Sequence, residues 1–259
     1  MPRKISHRRV FLHGVSQQHV QNAGFRRQAG GSRLALDSDM HRRFFLDRRE
    51  AGRMLAHTLL PFKGQNPVVL ALPRGGVPVG YEIARFLDAT LDVFIVRKIG
   101  IPHHRELAMG ALASGGIQVL DGDLIRRLRV PPHEVDEMIA AEMRELTRRE
   151  ERYGAGHAPP LLHGRIVILV DEGLATGFTM RAAVQAARKQ QPARIVVAVP
   201  VGSSEAMRML QAEADEVLCL RTPEPFVAVG LWYAAFEQTT DDEVRELLGR
   251  ARDVERLAG

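Results

Sequence analysis

Ile166-Val167-Ile168-Leu169-Val170-Asp171-Glu172-Gly173-Leu174-Ala175-Thr176-Gly177-Phe178-Thr179 is the stretch on which the fold turns. Its apolar opening shows no polar alternation, which predicts a strand covered on both faces, running from Arg165 to Val170. Asp171–Gly177 then reads as a loop and Phe178–Gln190 as a helix. Working outward, Arg194–Val199 predicts a strand, Ser203–Ala212 a helix and Val217–Leu220 another strand. Upstream, Leu46, Ala51, Met54, Leu55, Thr58 and Leu59 fall at helical spacing, with Asp47 as cap and Pro61 as terminator. Val68–Leu72 predicts a strand, Pro73-Arg74-Gly75-Gly76 a break, Val77–Leu87 a helix and Leu91–Val96 a further strand. Strands alternating with helices imply right-handed parallel crossovers, hence an α/β fold with a doubly wound, mostly parallel five-stranded sheet. Sites in such sheets lie beyond the carboxyl ends of the strands, which singles out loops 73–76, 97–106 and 171–179.

The middle of the chain is less regular. Leu107–Ala113 and Ile117–Leu120 predict a hairpin around Ser114-Gly115-Gly116. Pro131-Pro132 opens a charged helix reaching about Arg152, with Val135, Met138, Ile139, Met143 and Leu146 as its apolar stripe. Tyr153–His163 is a Gly/Pro-rich connection. Residues 99–160 together read as a lid or insert within a domain spanning 44–259.

The net charge of the 259 residues is +5, and it is uneven. Residues 1–43 hold nine Lys/Arg against two Asp, so that segment is +7 and the rest about −2. It lacks periodicity and is expected to be disordered: a basic arm, a targeting presequence, or translated sequence ahead of a start at Met40. The near-neutral body argues against a nucleic-acid groove. No apolar run approaches the roughly 20 residues of a membrane span. The single cysteine, Cys219, rules out an intrachain disulfide, reads as a small core residue and suggests a reducing, cytoplasmic setting.

Each part of loop 171–179 has a physical use. Glycines let backbone approach a ligand closely. Amides opening a helix, at its positive dipole end, attract a phosphate dianion. Thr176 and Thr179 add hydroxyl donors. Adjacent Asp171 and Glu172 suit vicinal sugar hydroxyls, gripped directly or through magnesium. A plain helix cap is the competing reading, although one acid would suffice for it. The sequence offers no Gly-x₄-Gly-Lys-Ser/Thr and no Gly-x-Gly-x-x-Gly after a strand. Gly202-Ser203-Ser204-Glu205-Ala206 lacks the second glycine of a nucleophile elbow.

Val167 to Thr179 resembles the thirteen-residue phosphoribosyl pyrophosphate motif of the type I phosphoribosyltransferases: four apolar residues, two acids, then a loop of small residues. The similarity extends from about Phe44 to Leu248. Asp47-Arg48-Arg49-Glu50-Ala51-Gly52, Trp232-Tyr233 and Gln238-Thr239-Thr240-Asp241 are similar to a bacterial subgroup of phosphoribosyltransferase-domain proteins. The resemblance implies that Asp171 and Glu172 hold the ribose 2′ and 3′ hydroxyls, and that backbone from Ala175 through Thr176, Gly177 and Phe178 to Thr179 cradles the 5′-phosphate. Phe178 departs from the small residue usual there, though its amide still donates.

The same resemblance implies that the Arg74-Gly75-Gly76 turn binds pyrophosphate. On the residues themselves, Gly75 and Gly76 could present an anion nest and Arg74 charge, or form a tight turn with a solvated arginine. Arg97 and Lys98, at the end of a strand, are expected to face the same pyrophosphate, with surface charge as the alternative. Pro102-His103-His104-Arg105-Glu106 suits a mobile lid rather than a zinc site. Trp232, Tyr233 and Phe236 form an aromatic cluster suited to stacking on a nucleobase or, equally, to the core. Asp241-Asp242 is expected to cap the last helix.

The expected reaction is magnesium-dependent transfer of a phosphoribosyl group from phosphoribosyl pyrophosphate to a nitrogenous base through an oxocarbenium-like transition state, with Asp171, Glu172 and Lys98 as catalytic groups. A phosphoribosyl pyrophosphate-sensing regulator and a hydrolase or phosphorylase of a phosphorylated ribose are the alternatives. A homodimer is compatible with either.

Overall fold

Ile166–Val170 (β6) is the axis of the molecule, with every side chain from Val167 to Val170 fully buried. The computed structural model describes residues 44–101, 104–154 and 159–258, leaving side chains at 104–107, 154 and 254–258 undescribed. The disorder expected for residues 1–43 therefore lies outside the described residues, as do Pro102 and His103 of the expected lid.

Around β6 run Val68–Ala71 (β1), Thr90–Val93 (β2), Arg194–Val201 (β7) and Glu216–Arg221 (β8), all parallel, in the order β2-β1-β6-β7-β8. Alternate residues feed two cores, as the unbroken apolar runs predict. Val69, Ala71, Ile168 and Val170 pack on one side, against Arg48–Thr58 (α1) and Gly76–Leu87 (α2). Val68, Leu70, Val167 and Leu169 pack on the other, against Phe178–Lys189 (α5) and Ser204–Gln211 (α6). The fold is the expected doubly wound five-stranded α/β sheet.

A second sheet of three antiparallel strands stands beside it: Val96–Ile101 (β3), His104–Ala113 (β4) and Ile117–Leu120 (β5). The hairpin turn at Ser114-Gly115-Gly116 is as expected, with both glycines at positive φ. The run expected as one strand, Leu91–Val96, is divided. The chain leaves the parallel sheet after Val93, and Ser114 ties Ile95 by accepting from its amide at 2.9 Å. Arg97 and Lys98 therefore lie inside an antiparallel strand and do not end a parallel one.

Gly122–Arg127 (α3), a short helix capped by Asp121, was not expected. Pro132–Gly154 (α4) and Asp241–Ala258 (α7) complete the fold. Asp47 caps α1 as predicted, accepting from the Glu50 amide at 2.7 Å. The predicted cap of α7 is corrected: Thr240 Oγ1 accepts from the Glu243 amide, while Asp241 turns elsewhere.

Candidate functional site

Beyond the carboxyl end of β6 the chain forms the loop that the sequence marked. Its first half is braced by the neighbouring loop after β7. Leu174 donates to the Val201 carbonyl (2.9 Å), and Ser203 donates to Leu174 through its amide (2.9 Å) and to Ala175 through its hydroxyl (2.6 Å). Gly177, itself buried, then takes φ +74°, a left-handed turn at the N-cap of α5. Ala175, Thr176, Phe178 and Thr179 are exposed. Among the described residues no protein group accepts from the amides of Ala175 to Thr179. A 12-residue helix thus presents its positive end and free donors to solvent.

The two acids are not equivalent. Asp171 is partly covered and accepts from the Glu172 amide at 2.8 Å. Burial pushes its carboxyl up to about 8, helped by the Glu172 charge and opposed by that amide and by Arg48. Glu172 is held from several directions. Its carbonyl accepts from the Tyr233 hydroxyl at 2.5 Å. Its carboxylate pairs with Nε of Arg48, from the first turn of α1. The same carboxylate packs on Gly75 so tightly that a Cβ there would lie 2.0 Å from Glu172 Oε2. Gly75 is a glycine because loop 73–76 and the acid pair meet at that point.

Loop 73–76 follows β1 and includes a cis peptide bond between Pro73 and Arg74. The two-glycine nest expected here is reduced by one, because the Gly76 amide donates to the Leu72 carbonyl at 3.1 Å. Arg74 lies 3.8 Å from Asp241, whose carboxylate also takes Arg152 and the Tyr153 hydroxyl, each at 2.5 Å. The hydrogen bond from Tyr153, with support from Arg152 and Arg74, holds the Asp241 carboxyl below its usual range.

The basic pair divides as alternate residues of a strand must. Arg97 pairs with Glu142 of α4 at 2.7 Å and is not turned toward the loops. Lys98 faces the other way, its ammonium 5.4 Å from the centroid of the Phe178 ring. Lys98 and Phe178 line a cleft of about 680 Å³ between the small sheet and α5, shared with Asp121, Arg181 and Gln185. Phe178 is 53% exposed, so its ring lies open beside Lys98 at the start of α5.

Val229–Trp232, a 3-10 turn after β8, covers the start of the 171–179 loop, with Val229 against Gly173. Tyr233 is 6% exposed and packs between Phe45 (5.4 Å) and Phe236 (5.1 Å). It supports Glu172 and has no open face for a base. Trp232 keeps partial exposure and contacts Phe44 at 6.2 Å. Arg48 is the residue that sequence reasoning missed. It stood inside a quoted motif, but its partner is 124 positions away and no local spacing points to it.

These loops gather two acids and the start of a helix beyond the carboxyl end of a parallel strand, and comparison with known proteins gives the family of the fold. The phosphoribosyl transferase domain model matches residues 46–233, and the chain belongs to that family. Two Mycobacterium tuberculosis proteins, each named a "putative phosphoribosyl transferase", are 46% identical over 209 residues, covering 81% of this chain and 47% of theirs. The chain spans about half the length of those relatives. The crystal structure of TT1426 from Thermus thermophilus is 43% identical and covers 79% of this chain and 97% of its own, with a TM-score of 0.73. Fold and family are as the sequence implied: a phosphoribosyltransferase-type α/β domain.

Proposed function

We propose that this domain transfers the 5-phosphoribosyl group of phosphoribosyl pyrophosphate to a nitrogenous base and releases pyrophosphate. The observation that carries the reading is the set of free amides from Ala175 to Thr179 at the start of α5, next to two carboxylates. The amides and the helix dipole hold the 5′-phosphate, with Thr176 and Thr179 as hydroxyl donors. Glu172, fixed by Arg48, accepts from a ribose hydroxyl with its remaining lone pairs, and Asp171 from the other. The Gly75 amide and the Arg74 guanidinium meet the pyrophosphate. Lys98 stands at the flank of the phosphate loop through Phe178 and adds positive potential there. The partly exposed Trp232 offers the acceptor an aromatic surface, and residues 99–160 form the lid region.

Among the described residues no group of three or more His, Cys, Asp or Glu side chains could hold a metal ion. Magnesium suits such a site, since it keeps several waters and takes one or two carboxylates together with substrate phosphates. Asp171 is the carboxylate that fits, because Glu172 already shares its charge with Arg48. When bound, the ion would neutralise charge on the departing pyrophosphate. The remaining work falls to alignment and to oriented amides, which needs no general base on the protein.

The test is pyrophosphate release from phosphoribosyl pyrophosphate with magnesium, across a panel of purine and pyrimidine bases. Release that requires one of the bases supports the transferase. Release without any base indicates a hydrolase, and saturable binding without turnover a sensor. Either result would replace the proposal.

A further inference from the structure

Arg48 does more than a surface ion pair requires. Its guanidinium lies over the Phe236 ring, 4.1 Å from the centroid, and donates to the Glu237 carbonyl at 2.8 Å while Nε holds the Glu172 carboxylate. Its side chain is only 11% exposed. The capping contacts of α1 set its origin. Asp47 accepts from the Glu50 amide, and Phe45 and Leu46 pair with the Trp232–Ala235 stretch on the other side of the ring cluster. Three parts of the chain, the start of α1, the loop after β6 and the segment after β8, therefore meet on one guanidinium.

Glu172 is fixed to match: at its amide by Asp171, at its carbonyl by Tyr233, and at its carboxylate by Arg48 and Gly75. An acid meant to swing between partners would not be tied at its amide, its carbonyl and Oε2 together. We infer that Arg48 is a positioning residue for ribose recognition: it locks Glu172 as the fixed acceptor of the 2′ hydroxyl, with the 3′ hydroxyl left to Asp171, so that the site distinguishes a sugar phosphate carrying a 2′ hydroxyl from one lacking it. The inference rests on the proposed ribose-phosphate site and deepens it. A guanidinium suits this position better than an ammonium, because its planar fork can stack and bridge two acceptors at once.

The experiment measures affinity for ribose 5-phosphate and for 2-deoxyribose 5-phosphate by calorimetry on the full chain. Wild-type protein is expected to bind both and to prefer ribose. Loss of one well-placed hydrogen bond corresponds to about fivefold, so Arg48→Ala should reduce the preference by at least about that factor while leaving the deoxy sugar phosphate bound as before. Glu172→Gln should reduce it similarly, and the double variant should lose no more than the single ones, since both act on one contact. Arg48→Lys should restore part of the preference. Should Arg48→Ala fail to fold, Phe236→Leu, which removes the ring beneath the guanidinium, should still lower the ratio. An unchanged ratio in Arg48→Ala, or in Phe236→Leu where that variant is the one read, overturns the inference. So do losses that multiply in the double variant. Failure of wild-type protein to bind either sugar phosphate would instead remove the site itself.

Discussion

At the scale of single residues the two neighbouring acids are expected to behave differently. Asp171 sits where burial favours its neutral form, with a carboxyl near 8, well above an unfolded value of about 3.8. A carboxyl raised in this way takes up a proton on folding. In the ligand-free protein with chelator present, its effect is a loss of stability as pH climbs from about 4 toward 8, with no further change above that. Asp171→Asn should flatten that part of the profile and leave the melting temperature at pH 7 unchanged or higher. Glu172→Gln removes the charge facing a mostly buried Arg48 and should destabilise by about 1–3 kcal/mol, the cost of an imperfectly partnered buried group. Both should weaken ribose 5-phosphate binding at least about tenfold, the value of one charge-assisted hydrogen bond. Thermal melts and titration calorimetry on the two single variants check this. The acids, the glycines and the threonines were legible in the sequence because their spacing is local. Arg48 and the Tyr233 hydroxyl were not, since their contacts with Glu172 arise only when segments 124 and 61 positions apart are brought together.

At the scale of elements, the parallel strands were legible because a run buried on both faces carries no polar residue, and β1, β6 and β7 each announce themselves that way. Leu91–Val96 is apolar but for Asp92, and periodicity could not reveal that it changes sheets midway. The division of Arg97 from Lys98 follows from that change, as does the pairing of Arg97 with Glu142. Helix α3 is short and buries no residue, so it leaves no stripe to read. The loop elements yield a prediction of their own. Gly177→Ala forces a side chain into a left-handed conformation and should destabilise by about 1–2 kcal/mol, weakening phosphate binding as the start of α5 shifts. Gly75→Ala should do more harm to binding than to stability, because its Cβ would displace the Glu172 carboxylate. Melting curves and inorganic phosphate titrations of the two variants separate these effects.

At the scale of the whole molecule, Asp241 ties together parts distant in sequence. Its carboxylate gathers Arg74 from the loop after β1 and Arg152 and Tyr153 from the end of α4, at the head of the terminal helix. Asp241→Asn keeps the shape and removes the charge. It should lower the melting temperature by a few degrees and change pyrophosphate affinity, as Arg74 loses its anchor. The uneven charge of the chain also makes sense at this scale. The excess of +7 falls in residues 1–43 of the sequence, and every residue assigned to the site falls after Phe44. Removing residues 1–43 should leave ribose 5-phosphate affinity unchanged, which calorimetry on the shortened chain would check.

The central claim is that the backbone from Ala175 to Thr179 receives the 5′-phosphate of a sugar held by Asp171 and Glu172. Amide chemical shifts in ¹⁵N-labelled protein, followed while ribose 5-phosphate is added, test it most directly. The account predicts saturable shifts concentrated at Ala175, Thr176, Gly177, Phe178 and Thr179, with smaller ones at Glu172 and Gly75. Saturating ribose 5-phosphate that left those amides unmoved, or moved a different part of the sheet, would contradict it.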